Sequence, residues 1–236
     1  MKLGIFTTDT LHHAYFVQQL SLQYADLVVF EQTRQVAAPF DCAHAFEAQR
    51  DAFECEAWFD GHATSLADVC TPRRYQTLNT PDAIADIQSA ALDAIVVFGT
   101  GKLSADVIQV CNNTIVNLHG GDPETYRGLD THLWAIYHEE FADLITTLHT
   151  LSEELDDGRI ISALPIALYP GMALHQLRKA NTEVCVRLSL EAMAEFIKNK
   201  AFISRPQRSR GRYYSFMPSA LKDICVRKFI KHTARL

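Results

Sequence analysis

Residues 2–30 read KLGIFTTDTLHHAYFVQQLSLQYADLVVF, and this opening decides the fold class. Leu3 to Phe6 is an apolar run that gives way to polar residues, as a buried strand does where it leaves a sheet. Tyr15, Phe16, Leu20 and Tyr24 recur near helical spacing, which predicts a helix over 12–24. Asp26-Leu-Val-Val-Phe30 is a second apolar strand. Strand, helix and strand in that order, with apolar rather than alternating strands, indicate a parallel α/β sheet covered on both faces.

Working outward, residues 31–80 are less regular; Phe46, Phe53, Trp58 and Phe59 suit an intervening helical segment. The pattern then sharpens. Thr80 and Pro81 open a helix to Ala91, Asp93 to Phe98 is a strongly β-like run, and Ser104 caps a helix reaching Val110. Thr114 to Leu118 is a further strand, Thr131 to Glu140 a helix, and Leu144–Leu151 and Arg159–Ile166 two more strands. Gly171 to Lys200 carries apolar residues at the spacing of a long amphipathic helix. No internal repeat appears. The Arg205-Pro-Gln-Arg-Ser-Arg-Gly-Arg212 stretch is the expected loop between a domain at 1–200 and a short basic extension at 201–236.

Composition narrows the function classes. With 48% hydrophobic and 21% charged residues in a chain of 236, a sizeable core is affordable without cross-links. No apolar run approaches the ~18 residues of a membrane span. The N-terminus lacks the apolar stretch of a secretory signal, and the six cysteines form no CxxC pair. A cytoplasmic protein with reduced thiols is expected. From Lys200 onward ten Lys/Arg face one Asp, a net of +9, which leaves −15 on residues 1–199. An acidic body with a basic tail is not the broad basic face of a nucleic-acid reader.

Two segments carry candidate chemistry. In Asn117-Leu-His-Gly-Gly-Asp-Pro-Glu-Thr-Tyr-Arg-Gly128 the first and third residues share one face of a strand, so Asn117 and His119 enter one pocket. A carboxamide beside an imidazole offers a donor for a developing oxyanion and a group that handles protons. In Leu155-Asp-Asp-Gly158 an Asp lies where it can orient that His and raise its basicity. Taken singly, the first is also an ordinary packed His at a strand end and the second an ordinary acidic turn. Together they suit attack of a neutral amine on a carbonyl. Metal-ligand spacing is missing, and no metal is expected.

In order and spacing, Asn117-x-His119, Tyr126-Arg127-Gly128, Trp134-Ala-Ile136, Thr147-Leu-His149 and Leu155-Asp156-x-Gly158 resemble the signature of the folate-dependent formyltransferases. Val97-Phe-Gly-Thr-Gly-Lys-Leu103 resembles the strand and loop that precede the site in that family. The likeness is clear from about 93 to 168. It departs at Gly120-Gly-Asp-Pro123, where the family reads Pro-Ser-Leu-Leu-Pro, at Asp157 in place of Thr, and at Ile145 in place of Gly. These departures touch loop geometry and acceptor contacts and leave Asn, His and Asp in place.

The resemblance implies a Rossmann-like formyltransferase fold with a mostly parallel sheet, and N10-formyltetrahydrofolate as donor. Carried over residue by residue, His119 acts in proton transfer and oxyanion stabilisation, Asn117 holds the oxyanion, and Asp156 orients His119. The pterin is expected between the loop of Phe98, Gly99, Gly101 and Leu103 and the turn of Leu155 and Asp157, chiefly on backbone groups. Candidates for the acceptor are His13, Asp122, Tyr126 and Arg127, with His12 and Lys102 behind them. Tyr213, Tyr214 and Phe216 suit either a nucleotide base or anchoring of the tail.

Elimination names the acceptor class. Glycinamide ribonucleotide enzymes carry a Gly/Ser-rich phosphate loop after the first strand, where this chain reads Thr7-Thr-Asp-Thr-Leu-His-His13. Initiator-tRNA enzymes carry a larger basic C-terminal domain, and an acidic body repels a polyanion. A nucleotide-linked amino sugar remains, a 4-amino-4,6-dideoxyhexose for surface polysaccharide such as O-antigen. No nucleic-acid or membrane partner is expected, and a homodimer is possible. The rivals are a methionyl-tRNA-type or other amine formyltransferase, and a non-catalytic folate- or nucleotide-binding member of the fold.

Overall fold

Leu3, Ile5 and Phe6 in the first strand and Ala94, Val96 and Val97 in the fourth are buried on both faces of a sheet, which is why neither strand shows polar alternation. They lie at the centre of a computed structural model that describes residues 1–110 and 114–236. In chain order the elements begin β1 (Leu3–Thr7), α1 (Leu11–Ser21), β2 (Leu27–Gln32), α2 (Ala45–Phe59), α3 (Leu66–Val69) and β3 (Arg73–Tyr75). Then come α4 (Pro81–Ser89), β4 (Ala94–Phe98), α5 (Ala105–Val110), β5 (Ile115–His119), β6 (Tyr126–Gly128) and α6 (Thr131–His138). The chain closes with β7 (Ile145–Thr150), β8 (Ile160–Pro165), α7 (Leu177–Asn199), β9 (Arg212–Tyr214) and α8 (Ser219–Thr233).

The main sheet runs β3-β2-β1-β4-β5-β7-β8. β3, β2, β1, β4 and β5 are mutually parallel, and β7 and β8 add antiparallel strands at one edge. The sheet is therefore mostly parallel, as expected. α1 and α7 cover one face, where Phe16, Leu20, Leu188 and Met193 pack; Ile87 of α4 and Val107 of α5 pack on the other. A third cluster joins Ile136 of α6 with Met217, Cys225 and Phe229 of the C-terminal segment.

Three expectations are corrected in detail. The first helix stops at Ser21 rather than 24, with Leu22 turned out to solvent. The irregular region holds a full 15-residue helix, α2, begun by a reciprocal cap: His44 accepts from the Phe46 N–H and Glu47 accepts from the His44 N–H. Histidine is outside the usual N-cap set, so the start was silent. The helix expected from Gly171 begins at Leu177, after a tight turn at Leu174–Gln176.

The basic extension folds onto the body. β9 pairs in parallel with β6, Tyr126 opposite Arg212 and Gly128 opposite Tyr214, and α8 packs on α6. The five described cysteines are free thiols, and Cys111 lies outside the described residues. Among the described residues no helix is long and apolar enough to cross a membrane.

Candidate active site

The carboxyl ends of β1, β4 and β5 converge where a parallel sheet exposes its free backbone ends, the usual place for a ligand in such folds. Thr7 closes β1 and donates its hydroxyl to the Phe98 carbonyl at 2.8 Å. Beyond these ends lies a cavity of about 560 Å³, lined among others by Asn117, His119, His149 and Asp156. This is an ordinary volume for a small-molecule site.

β5 presents Asn117 and His119 on one face, and the antiparallel register sets His149 and Thr147 of β7 directly opposite them. The hydrogen bonds fix each ring's proton. His119 Nε2 meets the Tyr126 carbonyl at 2.8 Å; a carbonyl only accepts, so Nε2 carries the hydrogen and Nδ1 keeps its lone pair. His149 Nδ1 donates to the Thr150 carbonyl at 2.8 Å, and its Nε2 accepts from Asn117 Nδ2 at 3.2 Å. One N–H of the Asn117 amide is thereby used, and the second has no acceptor among the described residues.

Asp156 reaches the same spot from the turn between β7 and β8. Its Oδ2 accepts the Gly128 N–H at 2.8 Å, while Oδ1 stands 3.5 Å from both His119 Nδ1 and His149 Nε2. The turn depends on Gly158: a Cβ there would sit 1.5 Å from the Thr150 carbonyl oxygen. The Asp156 backbone takes a left-handed φ of 52°, and its carbonyl accepts from Gln207 Nε2 at 2.8 Å.

Burial and charge set the protonation states. Burial lowers the His119 pKa below its ordinary value, with Asp156 opposing and His149 reinforcing the shift. Burial alone would raise Asp156, but the His119 charge, the nearby His149 ring and the hydrogen bond from the Gly128 N–H outweigh it and hold the carboxyl at about 2. Near neutral pH the site therefore pairs a neutral imidazole with a carboxylate. His13, on α1, is pushed down to about 3 by burial and the nearby Arg178 charge. His132 is pushed down to about 4 chiefly by burial, although its bond to the Ile145 carbonyl opposes this.

Of the other residues singled out in the sequence, Phe98, Gly99, Gly101, Leu103, Leu155 and His13 line the cavity, as do His12, Lys102 and Phe216. Gly99 is required there: its φ is +84° and a Cβ would lie 2.4 Å from His13 Nε2. Four expected binding residues stand elsewhere. Asp122 caps its own turn through the Glu124 N–H. Tyr126 donates its hydroxyl to Glu140 and stacks on Tyr214. Arg127 is buried and spends its guanidinium on the Leu155 carbonyl. Asp157 turns outward to Arg210. Tyr214 also stacks on Trp134 and so anchors the tail. Conversely, Glu47 and Arg50 of α2 and Arg178 and Asn181 of α7 line the cavity without any sequence signal; polar side chains on a cavity wall leave no apolar period. His149 lay in the quoted Thr-Leu-His motif, where its part in holding Asn117 was not read.

Comparison with known proteins matches residues 18–192 to the family described as Formyl transferase. A phosphoribosylglycinamide formyltransferase of Haemophilus influenzae is 32% identical over 108 residues, 45% of this chain and 50% of that protein. The chain spans half or less of the curated relatives it matches. Among solved structures, a sugar N-formyltransferase from Shewanella sp. aligns with a TM-score of 0.63 at 12% identity, covering 97% of this chain and 87% of that one. The formyltransferase PseJ from Anoxybacillus kamchatkensis, in complex with UDP-4,6-dideoxy-4-formamido-L-AltNAc and tetrahydrofolate, aligns with a TM-score of 0.54 at 15% identity, covering 91% and 86%. At such identities these two likenesses establish the fold.

Proposed function

The chain belongs to the formyl transferase family, and we propose that it moves a formyl group from N10-formyltetrahydrofolate to the amine of a nucleotide-linked amino sugar. The observation that carries the reading is the meeting of Asn117, His119 and Asp156 in one cavity at the strand ends. The donor supplies a formyl group on a nitrogen that leaves as an amine once it takes up the proton the attacking amine sheds. The wall opposite the Leu155–Asp156 turn suits its pterin ring. Phe98 and Leu103 are apolar, Gly99 brings the backbone close, and the N–H groups of Thr100 to Leu103 donate to no acceptor among the described residues. Such a ring presents in-plane acceptors that free backbone donors can read.

The chain's own groups then divide the work. A primary amine that attacks a carbonyl carbon must shed a proton, and His119 Nδ1 is the free base in the cavity. Protonation turns Nδ1 from a lone pair into a donor facing the Asp156 carboxylate, so the ring cation forms beside its counter-charge and not alone. The free Asn117 N–H is available to the oxygen on which negative charge develops, a contact stronger in the transition state than before it. His149 fixes that amide by accepting its other N–H.

For the acceptor, the acidic body and the cavity's size favour a small molecule over a tRNA. The PseJ structure is in complex with a UDP-linked 4-formamido sugar and tetrahydrofolate, which supports the same class here. The proposed setting is cytoplasmic synthesis of a surface polysaccharide such as O-antigen. The test is release of tetrahydrofolate from 10-formyltetrahydrofolate with a nucleotide-linked 4-amino sugar, glycinamide ribonucleotide and charged initiator tRNA in turn, at low and moderate salt. The sugar is expected to be the best acceptor at both. If either of the others is better at both salts, the sugar assignment is wrong.

A further inference from the structure

Several cations near the site are already engaged. Arg127 is on the Leu155 carbonyl, Arg205 on Glu124, Arg210 on Glu154 and Asp157, and Arg212 lies over the Tyr214 ring. The cavity has another cationic wall, where α2 faces α7. Arg178 is gripped by Glu54, which is 0% exposed, and by Asp51 at 2.7 Å. The same Asp51 oxygen accepts Arg50 Nε at 2.9 Å. Arg50 and Arg178 line the cavity, whereas Asp51 and Glu54 do not. Glu47, which also lines it, is matched by Lys222 at 2.6 Å.

This arrangement leaves a fork. Arg50 uses Nε on Asp51, and its two terminal nitrogens have no acceptor among the described residues. A guanidinium held in place by one edge presents the other as a planar pair of donors, the geometry that matches two phosphate oxygens. Side-chain rotation is already restricted, so little further entropy is lost on binding. The neighbouring His12 ring is tilted against that of His13, centroids 3.9 Å apart, and is kept neutral by burial, His13 and the two arginine charges; the positive potential that suppresses its protonation favours an anion. Phe46, one turn before Arg50, lines the same cavity and gives an apolar neighbour beside the charge.

We propose that Arg50, held by Asp51 and backed by Arg178, binds the phosphate of the acceptor substrate. The inference rests on reading this cavity as the formyl-transfer site and adds the group that selects a phosphorylated amine. A phosphate monoester on a ribose and the diphosphate of a nucleotide sugar share the chemistry, so both are probed.

Arg50 is the residue to change, because removing Arg178 would strand the buried Glu54 charge and threaten the fold. The Arg50→Gln and Arg50→Lys variants are titrated with dTDP, UDP and ribose 5-phosphate, and separately with 5-formyltetrahydrofolate. Arg50→Gln is expected to weaken the preferred phosphate ligand about 10- to 100-fold, the scale of one charge-assisted bidentate contact. Arg50→Lys should fall between, keeping charge and losing the fork, while the folate affinity is unchanged and reports an intact cavity. Equal phosphate affinity in all three proteins overturns the proposal. Loss of phosphate binding in Arg50→Gln upholds the anion site even if no amine is formylated, in which case the formyl-transfer reading alone fails. Tighter binding of ribose 5-phosphate than of either nucleotide upholds the site and removes the sugar nucleotide as its ligand.

Discussion

Replacing Asp156 by Asn isolates a single charge. The amide oxygen still accepts the Gly128 N–H that Oδ2 accepts now, so the turn keeps its anchor and the fold survives. What goes is the negative charge 3.5 Å from His119 Nδ1. At an effective dielectric constant near 20 that charge stabilises an imidazolium by about 5 kcal/mol. If proton transfer to Nδ1 is roughly half complete in the rate-limiting transition state, about half of that is lost, a fall in kcat of roughly a hundredfold. A second signature is independent of that fraction. His119 works as a base only when neutral, so turnover in the native protein falls as pH drops through its lowered pKa, below 6.5. Asp156 raises that pKa; without it, protonation is harder and the acid limb moves further down. The assay is tetrahydrofolate release under saturating substrates from pH 4.5 to 8. A variant with native kcat, or with its acid limb unmoved or displaced upward, refutes the assigned pairing.

Asn117→Ala should lower kcat more than it weakens a bound folate analogue, because its free N–H meets charge only as the reaction proceeds; equal losses in both would place Asn117 in donor binding instead. Gly158→Ala puts a Cβ on the Thr150 carbonyl oxygen and should remove roughly 3 kcal/mol or more from stability in urea titration. A change below 1 kcal/mol would mean the turn can relax. His13 and His132 have folded pKa values depressed to about 3 and about 4, so the unfolded chain takes up their protons first. Their penalty is absent above 6.5 and grows as pH falls, by up to about 1.4 kcal/mol per unit for each residue. Unfolding free energies at pH 7 and 5 should therefore differ measurably, and by less in His13→Asn.

Local sequence carried those parts of the molecule whose cause is local. Leu3–Phe6 and Ala94–Val97 declare buried strands because their own residues are apolar, and Thr80–Pro81 declares a helix start because its own side chains make it. The Asn117/His119 pair was legible because period two is a property of one strand. Arg127 and Tyr126 were misplaced for the opposite reason. Their side chains turn from the cavity to Leu155, Glu140 and Tyr214, partners that no local pattern announces. The α2–α7 wall was silent because Arg178 is held by ion pairs to Asp51 and Glu54, more than a hundred residues away in the chain.

The pairing of β6 with β9 sets an order of events during synthesis. Gly128 holds Asp156 through its N–H, and Gly128 is itself held against Tyr214. On the ribosome, Tyr126 waits some 86 residues for Arg212, which at 5–20 residues per second is roughly 4–17 s. A nascent chain can fold its sheet in that interval, with Asn117 and His119 already opposite His149 and Thr147, yet it lacks the clamp on the carboxylate. The carboxylate is thus clamped only after the sheet that carries its partners has been made.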